Sequence, residues 1–296
     1  MELSEARGKL VAIGGGDISE GDAPLLKEFV KLARGARARV VVMTVATDDP
    51  QAAAAQYKDA FKRLGVDDVK AVDVSKHADA LKPDSLEAIE HATGLFFTGG
   101  DQLHITSMIG GTEMQALMHR RYERGLVIGG TSAGAAMMSN SMIVGGDGDD
   151  NPKVGAVEIG PGMDLVIGAL IDTHFSQRGR FGRLLTAVAH YPQDMGIGID
   201  EETALIVNKN EFEVAGKGAV TVIDGGAMTY TSLPYAEAGD GLSLYGVSVH
   251  VLAAGSRFDL ANRRPIEAEE KRKSAKSSED GGKPDVKKPR SRRAGR

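Results

Sequence analysis

The chain contains no cysteine and no tryptophan, and its aromatic residues amount to only 5% of the whole. Without cysteine there is no disulfide framework, no thiolate metal centre and no cysteine nucleophile. Long apolar runs are also missing. No stretch approaches the roughly 20 residues needed to span a bilayer, and the opening MELSEARGKLVAIGGG lacks the charged-then-apolar order of a secretory leader. A soluble, cytoplasmic protein without membrane association is therefore expected.

What is present is a chain of 296 residues, 42% hydrophobic and 26% charged, enough to bury a substantial core. The formal net charge of −5 hides an asymmetry. Residues 267–296 hold 11 Lys/Arg against 6 Asp/Glu, a net of +5, which leaves 25 against 35, a net of −10, for residues 1–266. An acidic body disfavours nucleic acid, whose affinity comes mainly from cations on phosphates, and favours cationic substrates. Residues 1–266 read as a catalytic domain. Residues 267–296, poor in apolar side chains and rich in Lys, Arg, Ser, Gly and Pro, read as a disordered basic tail.

Through the first two-thirds, short apolar runs at 10–13, 40–45, 69–74, 94–98 and 126–128 alternate with helical patterns at 25–32, 52–64, 85–91 and 114–123. Such alternation predicts a mostly parallel sheet with helices on both faces. Ligands then collect beyond the carboxyl ends of the strands. Glycine-rich turns at Gly14-Gly15-Gly16, Gly99-Gly100-Asp101 and Gly129-Gly130 follow three of these strands and mark the same rim. After Ile199 the texture changes to short β runs at 204–207, 212–214, 219–223 and 242–252, predicting hairpins at one edge.

Gly130-Thr131-Ser132-Ala133-Gly134 fits the G-x-S-x-G nucleophile elbow, with a strand before it and a helix-forming Ala-Ala-Met-Met after it. The small residues are needed because the serine occupies a sharp strand-to-helix turn. Of the seven histidines, His77, His91 and His119 sit among charged residues and read as solvated, and His104 as helix surface. His190 closes a helix at 181–189, and His250 lies in an alternating strand with its ring outward. His174 alone directly follows a strand, at 170–173, which places it on the rim with Ser132. A carboxylate is needed to orient this base. Asp200, Glu201 and Glu202 end the strand 195–199, and spacing does not choose among them. Arg178, Arg180 and Arg183 follow His174 within nine residues. Their guanidinium forks suit a carboxylate-bearing substrate; pairing with neighbouring acids is the competing reading. No metal is expected, since the histidines lack i,i+4 pairing and Asp147-Gly148-Asp149-Asp150 lacks the terminal glutamate of a calcium loop.

Taken together, Phe96-Phe97-Thr98-Gly99-Gly100-Asp101-Gln102, Gly129 to Ala135 and Asp172-Thr173-His174-Phe175-Ser176-Gln177-Arg178-Gly179-Arg180 resemble the cyanophycinases, serine exopeptidases related to peptidase E (aspartyl dipeptidase). The resemblance spans roughly residues 10–252. It implies a three-layer αβα sandwich like that of class I glutamine amidotransferases, with extra β-hairpins toward the C-terminus, in a homodimer without a cofactor. It implies that Ser132 is the nucleophile, His174 the base and Glu201 the acid orienting it, in an order unlike that of α/β-hydrolases. The amides of Gly99 and Ala133 become the oxyanion hole, and Asp101, Asp172, Thr173, Arg178, Arg180 and Arg183 the substrate pocket. The implied substrate is cyanophycin, a polyaspartate whose side chains carry arginine, and the implied product is the β-Asp-Arg dipeptide. This chain departs from the family at Thr173, where members often have glutamine, and in its basic tail. Rival readings are a peptidase E-like dipeptidase, a non-catalytic amidotransferase-like binding module, and an α/β-hydrolase esterase using His250.

Overall fold

The structure is a computed structural model that describes residues 8–16, 23–146 and 151–267. Contacts divide the chain into Met1–Pro265 and Ile266–Arg296. Apart from Glu267, the tail expected over 267–296 lies outside the described residues, as does the acidic loop 147–150.

Five strands form the parallel heart of the molecule: β1 (Leu10–Ile13), β2 (Arg39–Met43), β3 (Asp68–Val72), β4 (Gly94–Phe97) and β5 (Val127–Thr131). They lie side by side in the order β1-β5-β4-β2-β3. Side chains alternate faces along a strand, and here both faces are apolar. Val11, Ile13, Val40, Val42, Phe96 and Val127 point to one side. There they meet Leu26 and Phe29 of α1 (Pro24–Leu32) and Phe61 of α2 (Pro50–Arg63). Leu10, Ala12, Val41, Met43, Leu95, Phe97 and Ile128 point to the other. They pack with Ile89 of α3 (Pro83–His91), Ile105 and Ile109 of α4 (Gln102–Ile109), and Met114, Leu117 and Met118 of α5 (Glu113–Tyr122). β1, β2, β4 and β5 are buried on both faces, and helices cover the sheet on each side, which gives this sandwich.

Beyond β5, α6 (Ala133–Ala136) leads to the hairpin β6 (Ser141–Gly145) and β7 (Glu158–Pro161), then to β8 (Ala169–Thr173), α7 (Phe181–His190) and β9 (Met195–Ile199). Next come β10 (Thr203–Asn208), β11 (Glu211–Gly216), β12 (Ala219–Asp224), β13 (Tyr230–Thr231), β14 (Leu244–Tyr245), β15 (Ser248–Ala253), β16 (Arg257–Asp259) and β17 (Arg264–Ile266). β10 joins the main sheet antiparallel to β1, and β11, β16 and β17 extend it to nine strands.

β8 and β9 do not extend the main sheet. They pair in parallel with each other and build a second sheet of order β15-β12-β9-β8. Ile171, Ile197, Ile199 and Val222 of this sheet share the core containing Phe97 and Ile128, while Leu170 and Ile223 face Leu184, Ala187 and Val188 of α7. The glycines of Met195-Gly196-Ile197-Gly198-Ile199 make that close packing feasible. A Cβ on Gly198 would lie 2.4 Å from the Phe175 ring, and one on Gly196 would lie 2.8 Å from Leu184.

Candidate active site

Register levels the ends of the strands. Ile13 pairs with Thr131 and Phe97 with Gly130 in the main sheet, and Thr173 pairs with Ile199 in the second. The turns that follow β1, β4, β5, β8 and β9 therefore meet. The exit of β1 is their hub: successive carbonyls of Ile13, Gly14 and Gly15 accept the backbone N–H groups of Ser132 (2.9 Å), His174 (2.7 Å) and Glu202 (3.0 Å). One extended segment thus fixes the backbones of three turns from different parts of the sequence.

Ser132 stands at the elbow with φ 52°, and His174 has φ 49°. Both are left-handed conformations that side-chain-bearing residues rarely adopt, each costing roughly 1–3 kcal/mol unless the surroundings impose it. Glycine is required on both sides of the serine. A Cβ at Gly130 would fall 2.2 Å from the carbonyl oxygen of Gly134, and one at Gly134 would fall 2.5 Å from that of Phe97.

The serine hydroxyl lies 2.9 Å from Nε2 of His174, and Nδ1 of the same ring lies 2.6 Å from Oε1 of Glu201. An ionised carboxylate only accepts hydrogen bonds, so Nδ1 carries the proton and Nε2 is left as the acceptor facing Ser132. The His174 side chain is 12% exposed and that of Glu201 36%. Burial lowers the His174 pKa below its ordinary value, and the positive Arg178 and Arg180 lower it further; the hydrogen bond and charge of Glu201 oppose them. The imidazole is thereby kept in the free-base form. Gly15 forms the floor beneath it, since a Cβ there would sit 2.2 Å from Cε1 of the ring.

The three consecutive acids that spacing left open have separate tasks. Glu201 meets His174. Asp200 accepts the amides of Ser176 (3.0 Å) and Ala219 (3.1 Å), and Glu202 pairs with Lys217 at the surface. His250 lies on β15 with its ring against Phe258 (centroids 5.6 Å apart), so His174, not His250, contacts Ser132. His119 was expected to be solvated; its Nε2 is instead 2.9 Å from the carbonyl oxygen of Met163.

A cavity of about 220 Å³ opens beside Ser132, lined by Gly100, Gln102, Thr173, Arg178, Arg180 and the β6–β7 hairpin, with Asp172 and Arg183 behind. Asp172 and Arg183, 2% and 4% exposed, form a buried two-pronged pair at 2.8 and 2.6 Å; Nη1 of Arg183 also reaches the carbonyl of Gly146 at 2.5 Å. Arg180 donates to Asp172 (3.3 Å) and to the carbonyl of Thr173 (2.6 Å), while its buried Nε has no protein partner. Burial lowers its pKa to about 10, with Asp172 opposing and Arg183 and Arg178 adding to the shift. Asp101 does not line this cavity. Its carboxylate caps α4 by accepting the amide of Leu103 at 2.8 Å, and its neighbours Gly100 and Gln102 take the pocket wall. Gln102, which the sequence reading did not single out, donates to the carbonyl of Ile143 at 2.7 Å and braces the hairpin.

Gly99 lies against Ser132: a Cβ there would be 3.5 Å from the serine Cβ. Ala133 is the first residue of α6, where the N–H has no partner within the helix. Among the described residues no group of three or more His, Asp or Glu is placed to hold a metal ion, and no helix is long and apolar enough to cross a membrane.

The family model for peptidase family S51 matches residues 10–215. A cyanophycinase of Geminocystis herdmanii (strain PCC 6308) is 34% identical over 262 residues, covering 88% of this chain and 96% of its own. A cyanophycinase of Synechococcus elongatus is 32% identical over 256 residues, covering 86% and 80% respectively. Among solved structures, a peptidase from an acI-B1 Actinobacterium shares the fold with a TM-score of 0.63 at 20% identity, over 86% of this chain and 97% of that one. A putative peptidase E protein from Listeria monocytogenes EGD-e aligns with a TM-score of 0.50 at 16% identity, over 71% and 99%. A nucleophile elbow, a histidine and a carboxylate meeting at the strand ends, and a family match extending from β1 into β11, lead to one conclusion: the chain belongs to peptidase family S51 and is a peptidase hydrolase.

Proposed function

We propose that the chain is a serine exopeptidase that hydrolyses cyanophycin to β-Asp-Arg dipeptides. The observation that carries this reading is the unbroken hydrogen-bonded line Ser132–His174–Glu201 at the mouth of a cavity lined by arginines beside a buried aspartate. The names of the relatives point to the same polymer. Each repeat of cyanophycin bears a carboxylate and a guanidinium. A pocket for the terminal unit needs donors for the first, and Arg178 and Arg180, both in the cavity wall, supply them. The acidic body attracts the second.

In the proposed reaction the Ser132 oxygen attacks the scissile backbone carbonyl while Nε2 of His174 takes its proton, and Glu201 stabilises the imidazolium. The oxyanion is received by the amides of Gly99 and Ala133. His174 then returns the proton to the leaving amine. Water, activated by the same imidazole, releases the acyl group from Ser132. No cofactor takes part, and the protein acts as a cytoplasmic homodimer.

The competing substrate is a short α-aspartyl peptide of the peptidase E kind. Turnover of soluble cyanophycin fragments is compared with that of Asp-Leu and Asp-Ala dipeptides at equal enzyme. Preference for the arginine-bearing substrate supports the proposal. Preference for the plain dipeptides overturns it.

A further inference from the structure

Glu201 is a poorly protected member of its hydrogen-bonded line. Its side chain is 36% exposed, so water competes for the carboxylate that His174 needs. The placement of its backbone therefore bears directly on where the carboxylate rests. The backbone around it is fixed at three points. The Glu201 carbonyl accepts the Thr203 hydroxyl at 3.1 Å, the Glu202 amide donates to Gly15 at 3.0 Å, and the Glu201 amide donates to Oε1 of Gln177 at 3.0 Å.

The third contact is set apart by its origin. Gln177 belongs to the turn that carries the base itself, where the Arg178 amide donates to the His174 carbonyl at 3.0 Å. The two turns are cross-linked in both directions. Ser176 of the base's turn donates its amide to Asp200, and Glu201 of the acid's turn donates its amide to Gln177. The Phe175 amide bonds to the Ile199 carbonyl at 3.2 Å between them. Both turns also hang on the carbonyls of Gly14 and Gly15, and the crossed bonds add the direct tie between base and acid.

We propose that Gln177 is a positioning residue: by accepting the Glu201 amide it locks the acid's backbone to the turn bearing His174, and so keeps the Glu201 carboxylate on Nδ1. It touches neither Ser132 nor the His174 ring, so it acts through Glu201. Being exposed, it is dispensable to the core. The proposal rests on Ser132 being the nucleophile.

The test uses the full chain with Gln177→Met, which keeps length and loses the acceptor, and Gln177→Glu, which keeps the acceptor. Ser132 reactivity is read by labelling with a fluorophosphonate, independent of the peptide substrate, and the His174 imidazole is titrated by NMR. Gln177→Met is expected to slow labelling about 10-fold, short of the roughly 10²-fold that an ångström of misplacement costs. It also lowers the imidazole pKa, because the Glu201 contact that raises it is weakened. KM on soluble cyanophycin fragments stays at the wild-type value. Gln177→Glu restores the rate, and Gln177→Met adds no further loss in a Glu201→Gln background. Wild-type labelling by Gln177→Met, an undiminished loss in the Glu201→Gln background, or a change in KM alone overturns the proposal. A wild type that is not labelled at Ser132 overturns the nucleophile assignment along with it.

Discussion

Gly15→Ala is the sharpest structural probe of the role proposed for His174. The added Cβ would lie 2.2 Å from Cε1, 2.6 Å from Nε2 and 2.7 Å from Nδ1 of His174. Carbon atoms rest about 3.5–4.0 Å apart, so the ring must retreat by about 1.3 Å or more. It cannot do so and keep both 2.9 Å to Ser132 and 2.6 Å to Glu201. An ångström of misplacement costs about 10²-fold in rate, and a loss of at least that size in kcat is expected. The φ of +112° at Gly15 also strains an alanine by roughly 1–3 kcal/mol. Loss of stability must therefore be separated from loss of geometry. Gly65→Ala is the control: its φ is +81° and no atom lies within 4 Å of the new Cβ. It should cost about 1 kcal/mol of stability and leave kcat unchanged. Both variants are measured for kcat and for thermal midpoint. Wild-type turnover by Gly15→Ala, folded at the assay temperature, would refute the role given to Gly15.

Three further outcomes follow from the same geometry. The acidic limb of the rate–pH profile should have its midpoint below 6.5, the ordinary histidine value, because burial disfavours the imidazolium. Stability falls in the same sense as pH drops below about 6.5, since the unfolded chain then takes up the proton that the folded His174 resists; a midpoint above 6.5 would contradict this environment. Arg183→Met removes the two-pronged partner of buried Asp172 and leaves it the longer 3.3 Å contact with Arg180, so the cost should approach the roughly 3–5 kcal/mol of a broken buried pair, with partial recovery in the Arg183→Met/Asp172→Asn pair. Denaturant titration checks both. We also propose that the catalytic unit ends at Ile266. A chain truncated there should turn over soluble substrate as the full chain does, and a collapse in activity would refute that boundary.

Much of the fold can be read from the sequence because it is local. β1 and β9 lie at the residues that their apolar runs indicate, and α1, α2, α3, α5 and α7 begin or end within two residues of the helical patterns. α4 has no bounds in the sequence reading beyond the helix-surface placement of His104, because its buried stripe of Ile105, Thr106 and Ile109 spans little more than one turn. The run 242–252 reads as one strand, yet it breaks at Gly246. The φ there is +78°, and a Cβ would meet the Ala227 carbonyl at 2.7 Å. The assignment of β8 and β9 to a separate sheet depends on what packs against Gly196 and Gly198, which is invisible along the chain.

The candidate site divides in the same way. Ser132 and His174 are legible because each directly follows a strand, and parallel strands level their ends. Glu201 is not, because its neighbours Asp200 and Glu202 differ from it only in what they meet from other turns. The same holds for Gly15 beneath the imidazole and for Gln177, whose partner lies 24 residues away. Asp101 is the complementary case: beside the rim, its carboxylate caps α4, a task that only the fold reveals.

In the proposed reaction Ser132 opens the terminal peptide bond of cyanophycin. Purified protein and its Ser132→Ala variant are incubated side by side with insoluble cyanophycin, and the released products are identified by mass spectrometry. β-Asp-Arg dipeptide is expected from the wild type, with the variant slower by about 10⁴-fold or more. Equal release by both, or release of longer internal fragments by the wild type, would contradict it.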